Sequence, residues 1–264
     1  MKFILSIVAV ALLASCSKSP TGRTQFAFMS DTKLAQMGTQ SFEQMKTEIP
    51  ETDNEALISF VQCVADQITP NVSKAAHAGD WEVVVFESDQ INAFALPGGK
   101  IGVYTGILKV TENQEQLAAI MGHEVAHVIA KHSNERMSSN QAAAGLQALA
   151  GIALGEQDAQ TRKYALAGIG LGLQYGVLMP YGRSHEKEAD LIGQDLMARS
   201  GFDPKAAIDL WHNMAKASKG SPPEFLSTHP SHDTRIDKLT SNLAVATPLY
   251  EHSQQSPNCP KPNL

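Results

Sequence analysis

The apolar stretch over residues 116–132 most constrains the fold, because it predicts a helix that is apolar on nearly every side and therefore buried. Inside it, His123, Glu124 and His127 form the pattern H-E-x-x-H. Residues four apart in a helix share a face, so both imidazoles can bind one metal ion, with Glu124 beside them as a base that activates water. One Zn²⁺ per chain is the predicted cofactor. The alternative is an ordinary helix with a polar stripe, although unpaired buried polar groups are costly.

Composition limits the class of protein. The chain has 264 residues, of which 43% are hydrophobic, and this suits one globular domain with a sizeable core or at most two small ones. The net charge is −6 and no long basic run occurs, so nucleic-acid binding is not indicated.

The N-terminus predicts a lipoprotein signal peptide over residues 1–15. Lys2 supplies the charge, residues 3–13 the apolar run, and Leu13-Ala14-Ser15-Cys16 an ending that resembles the bacterial lipobox. Cys16 is then the lipidated residue, and Ser17 after it favours the outer membrane, with the domain facing the periplasm. An ordinary secretory signal with an incidental cysteine is the alternative.

The rest of the chain divides by composition. Residues 16–29 predict a lipidated N-terminus and linker, residues 30–247 the folded domain that contains the predicted metal helix, and residues 248–264 a polar, proline-rich tail. In an oxidising compartment Cys63 and Cys259 could form a disulfide, and the alternative is two free thiols.

Three strands are predicted before the metal helix, over residues 81–86, 91–96 and 101–104. Asn92, Ala93 and Phe94 are candidates for pairing with the extended main chain of a substrate, while a plain structural hairpin is the alternative. Residues 139–179 are rich in Ala, Gly and Leu and predict two close-packed helices, with a lid or membrane-dipping segment as the less favoured interpretation.

A third metal ligand is predicted in the run His185-Glu186-Lys187-Glu188-Ala189-Asp190. Glu186 and Asp190 share a helix face. We assign Glu186 as the ligand and Asp190 as the acceptor that orients a ligand histidine. Glu188 is expected on a charged surface, and His185 is expected to be exposed.

Taken in order, H-E-x-x-H, then E-x-E-A-D, then T-H-P with Arg235 five residues after the proline, resemble the HtpX and CAAX-prenyl endopeptidase family of zinc metallopeptidases. The lipobox and the Asn92-Ala93-Phe94 strand are similar to its soluble periplasmic lipoprotein branch. The resemblance covers roughly residues 81–239. It implies an α+β, mainly helical zincin-like domain with a small sheet beside the active-site helix, and zinc bound by His123, His127 and Glu186.

The same resemblance selects His229 and Arg235. His229 could stabilise the oxyanion as a catalytic residue, occupy the open zinc position in a latent enzyme, or merely cap a helix. Arg235 is expected to order the surrounding loop or Asp190.

The predicted function is a zinc endopeptidase anchored in the outer membrane that cleaves misfolded or stalled envelope proteins. Its expected partners are protein or peptide substrates and, by family analogy, the envelope assembly machinery. The alternatives are a chaperone-like binding protein with a plugged zinc site and a hydrolase of non-peptide substrates.

Overall fold

The computed structural model describes residues 16–155, 157–174, 179–217, 225, 229 and 233–263. The predicted signal peptide lies outside the described residues. The elements, in chain order, are β1 (Cys16–Lys18), β2 (Thr24–Phe26), α1 (Asp31–Glu48), α2 (Glu55–Ile68), a 3₁₀ turn (Thr69–Asn71), β3 (Glu82–Phe86), β4 (Ala93–Leu96), β5 (Lys100–Tyr104), α3 (Thr105–Leu108), α4 (Gln114–Ile129), α5 (His132–Ala153), α6 (Ala159–Leu173), α7 (Met179–Arg199), α8 (Ala206–Ala217) and α9 (Asp233–Glu251). The predicted mainly helical α+β class is confirmed.

The chain divides into two compact units. The first contains the described residues up to Asp31 together with Lys131–His185, and the second contains Thr32–Ala130 and Glu186–Leu264. The domain bounds given by the sequence stay a prediction.

In the first unit, the N-terminal segment is ordered. Strands β1 and β2 pair antiparallel. The main-chain N–H of Met29 donates to Asn134 Oδ1 at 3.1 Å, and Asn134 Nδ2 donates to Met29 O at 2.7 Å. Residues 16–29 therefore carry regular structure where the sequence suggested a linker, because their hydrogen-bond partners lie about a hundred positions away, beyond the reach of any local pattern.

Helices α5 and α6 also belong to the first unit and pack against each other. A Cβ atom at Gly170 would lie 2.8 Å from Gln147 Nε2, whereas nothing lies within 4 Å of Gly145, Gly168 or Gly172, so the predicted close packing through small residues is limited to Gly170 among these four glycines. Several large apolar side chains of the pair stay exposed, among them Leu149, Ile152 and Tyr164. In the described part of the chain, every helix is too short or too polar to cross a bilayer.

In the second unit, a three-stranded sheet has the order β3-β5-β4. Strand β3 runs parallel to β5, and β4 runs antiparallel to β5. Gly98 and Gly99 connect β4 to β5 with φ of +95° and +73°, a left-handed conformation that glycine adopts without steric cost. Because β4 stands last in the strand order, it is an edge strand of this sheet.

Helix α4 lies at the centre of the second unit. It contacts α2, α8 and β4. Its apolar side chains are fully buried, namely Leu117, Ile120, Met121 and Val125. The predicted buried helix is therefore present, but it ends at Ile129, because Lys131 adopts a left-handed φ of 56° before α5 begins.

The C-terminal tail is fixed to the second unit. Cys63 on α2 and Cys259 form a disulfide with a Cα–Cα distance of 5.6 Å. Gln114, the first residue of α4, donates from Nε2 to Pro257 O at 3.1 Å. Helix α9 continues through Pro248 to Glu251, so the first residues of the predicted tail are helical.

Candidate metal centre

Helix α4 places two imidazoles side by side. The Asn113 side chain caps its start by accepting a hydrogen bond from the main-chain N–H of Gln116 at 2.9 Å. His123 Nε2 and His127 Nε2 lie 3.1 Å apart. Since α4 is buried from Gln116 to His127, both rings project from a rigid element.

Two glycines let α7 approach α4. A Cβ atom on Gly193 would lie 2.7 Å from the main-chain nitrogen of His123 and 2.8 Å from the carbonyl carbon of Gly122. Any larger residue would push the helices apart. The close approach brings Glu186, earlier on α7, to the histidines, with Oε2 3.3 Å from His123 Nε2 and Oε1 3.6 Å from His127 Nε2.

A fourth donor completes the cluster. His229 Nδ1 lies 3.2 Å from His123 Nε2 and 3.0 Å from Glu186 Oε2. The ligand atoms of these three residues and His127 all lie within 4.8 Å of one another, and all four residues are buried. In tetrahedral zinc sites, with bonds of about 2.0–2.1 Å, neighbouring ligand atoms are about 3.3 Å apart. The donor set and its spacing therefore fit zinc.

The electrostatics of the cluster favour a bound cation. Burial lowers the pKa of His123, but hydrogen bonds with Asp190 and Glu186 outweigh it and raise that pKa to about 9. Burial raises the pKa of Glu186, yet hydrogen bonds with His123 and His229 lower it far below its usual range. Imidazole nitrogens this close cannot all present lone pairs to one another, so a proton or a metal ion must lie among them.

Asp190 and Arg235 support His123. Asp190 Oδ1 lies 3.2 Å from His123 Nδ1, which leaves Nε2 facing the other ligands. Arg235 is almost wholly buried, and its Nε donates to Asp190 Oδ2 at 2.6 Å while Nη1 lies 3.3 Å from Glu186 Oε2. Burial raises the pKa of Asp190, but the charge of Arg235 and the hydrogen bond with His123 outweigh it and lower that pKa.

Glu124 lies beside the ligands without belonging to the donor set. It is buried, and its Oε1 makes no hydrogen bond to any residue that the structure describes. Burial raises the pKa of Glu124. A buried carboxylate oxygen without a donor is suited to receive a proton from water.

The predicted substrate residues lie at the edge strand. The side chains of Ala93 and Phe94 point into the protein, since Ala93 is buried in the main core and Phe94 packs on the rings of Phe86 and Tyr104. Asn92 Oδ1 accepts the main-chain N–H of Ala93 at 3.0 Å. Substrate binding here stays a prediction, and it is limited to the main chain of β4.

The expectation that His185 and Glu188 are on the surface is wrong, because their exposed fractions are 2% and 4%. His185 Nε2 lies 3.0 Å from Glu135 Oε2, and Arg23 donates to both oxygens of Glu135 at 2.7 and 2.8 Å. The His132 ring stacks on that of His185, with centroids 4.2 Å apart. We call the first-unit residues Arg23, Gln25, His132, Glu135 and His185 the Glu135 cluster. Its members come from distant parts of the sequence, and no local pattern indicated it.

A buried H-E-x-x-H helix, a carboxylate from a second helix and a sheet edge beside them define a zincin-like metallopeptidase. Comparison with known proteins agrees: the model of peptidase family M48 matches residues 53–243. The chain therefore belongs to peptidase family M48. This confirms the predicted membership of a zinc metallopeptidase family and the predicted enzyme class.

Relatives within the family are proteases. The chain is 39% identical over 175 residues to the mitochondrial metalloendopeptidase OMA1 of Schizosaccharomyces pombe, covering 66% of this chain and 50% of that protein. It is 30% identical over 239 residues to the beta-barrel assembly-enhancing protease of Yersinia pestis, covering 89% and 49%. The protein of that name from Escherichia coli K12 is 27% identical over 254 residues, covering 94% and 52%. The chain thus spans about half the length of these relatives.

Proposed function

We propose that the chain is a zinc endopeptidase, anchored through Cys16 to the periplasmic face of the outer membrane, that cleaves misfolded or stalled envelope proteins. The observation that carries the zinc assignment is the set of four ligand atoms within 4.8 Å. The lipobox ending at Cys16 supports the location. Similarity to the beta-barrel assembly-enhancing protease of Yersinia pestis supports clients or partners in the assembly of outer-membrane proteins.

The residues divide the chemistry among them. His123, His127 and Glu186 would hold zinc, which when bound supplies a Lewis acid that polarises a peptide carbonyl and lowers the pKa of water. Glu124 Oε1 accepts a proton from the attacking water and passes it to the leaving nitrogen of the amide. Asp190, with Arg235, keeps His123 in the tautomer that presents Nε2.

The sheet edge would select extended chains. Strand β4 pairs only on one side with β5 among the described residues, and it contacts α4. A substrate main chain could hydrogen-bond to its free side, which places a peptide bond along the metal helix. This arrangement favours a peptidase over a hydrolase of non-peptide substrates.

His229 would hold the enzyme latent. Its Nδ1 belongs to the donor set, and its Nε2 lies 3.5 Å from Glu124 Oε1. The ring therefore occupies the space between the ligands and the proposed base, where water must bind for hydrolysis. Of the three predicted roles of His229, the structure favours closure of the site, and displacement of this side chain would start activity.

A second candidate function is a chaperone-like binding protein. It is favoured by one observation, the presence of four protein ligands, since closed four-ligand zinc sites are typically structural. The two candidates differ in whether removing His229 produces a peptidase.

The test compares zinc content and casein cleavage in wild type, Glu124→Gln and His229→Ala, with His212→Ala as an exposed-histidine control. We expect one zinc ion in each protein. Cleavage should rise in His229→Ala and stay at the wild-type level in His212→Ala. Adding Glu124→Gln to His229→Ala should lower cleavage by about 10²–10⁴-fold. Zinc in every protein with no cleavage even in His229→Ala would establish the chaperone-like alternative, and absence of zinc would contradict the ligand assignment.

A further inference from the structure

Helices α5 and α6 of the first unit present a surface that is unusual for contact with water. The sequence from 137 to 155 contains no charged residue, and neither does the sequence from 164 to 173. Large apolar side chains with exposed fractions between 53% and 78% nevertheless lie at this surface, namely Leu146, Leu149, Ile152, Tyr164 and Leu171. A helix that faces water normally carries charged and polar residues on its outer side, so a medium other than water is expected around this pair.

The exposed apolar side chains lie on the two outer edges of the helix pair. Gln147 and Gly151 face α6, because a Cβ atom on Gly170 would lie 2.8 Å from Gln147 Nε2 and one on Gly151 would lie 3.7 Å from Arg162 Nη2. At about 100° per residue, the exposed apolar side chains of α5 then project away from α6, and Tyr164 and its neighbour two turns later on α6 project away from α5. A fluid lipid surface can cover both edges at once, whereas a protein docked on one edge would leave the other in water.

The same compact unit contains the proposed lipid anchor. Strand β1 begins at Cys16 and pairs with β2. The segment after β2 is bound to α5, because Asn134 Nδ2 donates to Met29 O at 2.7 Å and the main-chain N–H of Phe28 donates to Ser138 Oγ at 3.1 Å. An anchor at Cys16 and the exposed surface of α5 therefore belong to one folded body, and acyl chains on that cysteine would bring this body to a bilayer.

The charge of the first unit also fits a phospholipid surface. Residues 16–31 and 131–185 contain seven Lys and Arg against four Asp and Glu, a net charge of +3, while residues 32–130 and 186–264 contain 13 against 23, a net charge of −10. Arg162 and Lys163 are exposed directly before Tyr164. Basic residues next to exposed apolar ones are typical of helices that lie in the interface of a membrane with anionic headgroups.

We propose that α5 and α6 lie in the interface of a phospholipid membrane with anionic headgroups, as a second, noncovalent membrane contact beside the lipid anchor. This contact goes beyond the proposed peptidase activity and rests on the proposed location, including the anchor at Cys16. Acyl chains alone would leave the first unit free to rotate above the bilayer. A second point of attachment on the same unit fixes its orientation on the membrane.

The depth of single side chains tests this contact in the mature lipidated chain. Cys16 is acylated in this form and the other two cysteines form the disulfide, so an introduced cysteine is the only thiol that a nitroxide reagent can label. We would label Leu149→Cys and Leu171→Cys on the two outer edges, with Ile58→Cys as an exposed apolar control in the second unit. In vesicles of phosphatidylethanolamine and phosphatidylglycerol, the accessibility of each label to oxygen and to a water-soluble nickel complex gives its depth.

The labels at positions 149 and 171 should both lie about 5–10 Å below the headgroup boundary, and the label at position 58 should stay in water. Lys163→Glu should lower the ratio of membrane-buried to water-exposed label at position 171 about fivefold or more, because each basic residue near an anionic surface contributes roughly that factor. Vesicles of phosphatidylcholine alone should lower the same ratio. Lys238→Glu, an exposed charge reversal on α9, should leave it unchanged.

Three results would overturn the membrane contact. The first is access of water to both edge labels in vesicles, and the second is burial of one edge alone. The third is burial that requires a high ratio of protein to lipid and broadens the spectrum through spin–spin contact, because a second copy of the chain would then cover the surface. Failure of the anchor is recognised separately by mass spectrometry of Cys16, and Cys16→Ser allows the same depth measurement on the full chain without acyl groups.

Discussion

The metal centre and the Glu135 cluster both bury a carboxylate beside imidazoles, but they balance its charge differently. Glu135 receives two hydrogen bonds from Arg23, one from Gln25 at 3.3 Å, and lies 3.0 Å from His185 Nε2, so the cluster matches its own charge. In the metal centre, Glu186 and three imidazoles bring possible ligand atoms within 4.8 Å of one another. Burial of polar groups therefore does not by itself indicate a metal site, and the decisive feature is a convergence of possible ligand atoms.

The largest expected effect on zinc binding and cleavage comes from replacing Glu186, the carboxylate of the metal centre. Glu186→Gln should lose bound zinc, and cleavage by the His229→Ala enzyme should fall at least as far as the 10²–10⁴-fold expected for loss of Glu124. Metal analysis and casein cleavage measure both effects. Full zinc content in Glu186→Gln would show that this side chain is not a ligand.

The glycine contact between α4 and α7 should give the next largest effect. A Cβ atom on Gly193 would lie 2.7–2.9 Å from main-chain atoms of Gly122 and His123, so Gly193→Ala must separate the helices. A displacement of about 1 Å can cost about 100-fold in activity, and we expect a loss of that order with weaker zinc binding.

Gly168→Ala is the control, because nothing lies within 4 Å of that position. It should leave zinc binding intact and stabilise α6 slightly. Equal zinc affinity in Gly193→Ala and Gly168→Ala would contradict the positioning role of the close approach.

In the Glu135 cluster, a substitution should lower the stability of the fold and leave zinc binding unchanged. Glu135→Gln should lower the free energy of unfolding by about 2–3 kcal/mol, because hydrogen bonds to a buried charged group are lost, while zinc content stays the same. Chemical denaturation and metal analysis provide the two readings. Asp89→Asn, which removes an exposed ion pair with Lys109, should change stability by less than about 1 kcal/mol.

Acid should remove the contribution of Glu135 gradually. Burial raises its pKa, but the hydrogen bonds with His185 and Arg23 outweigh it and lower that pKa to about 2. A depressed carboxyl pKa stabilises the fold above the unfolded value of about 4.5, and this contribution is lost as the pH falls from there toward 2.

The free energies of unfolding of the metal-free wild type and Glu135→Gln should therefore differ most near pH 7 and converge only as the pH approaches 2. Using metal-free proteins keeps loss of zinc from entering the comparison. A constant difference across this range would show that the Glu135 charge does not contribute in the way that the geometry implies.

These contrasts also define what the sequence could predict. H-E-x-x-H and E-x-E-A-D place possible ligands at fixed helical spacing, so the sequence alone predicts His123, His127, Glu186 and Asp190 as site residues. The helix contact at Gly193 depends on packing between elements distant in sequence. Arg23 and Glu135 are 112 positions apart, and neither belongs to a recognisable motif.

The Cys63–Cys259 disulfide affects how self-cleavage would be detected. The two cysteines enclose all four candidate ligands in the sequence. A single cut anywhere between them would leave two fragments joined through sulfur, differing from the uncut chain by one water molecule. On a non-reducing gel a nicked enzyme would therefore migrate as one species, and only a reductant would separate its halves.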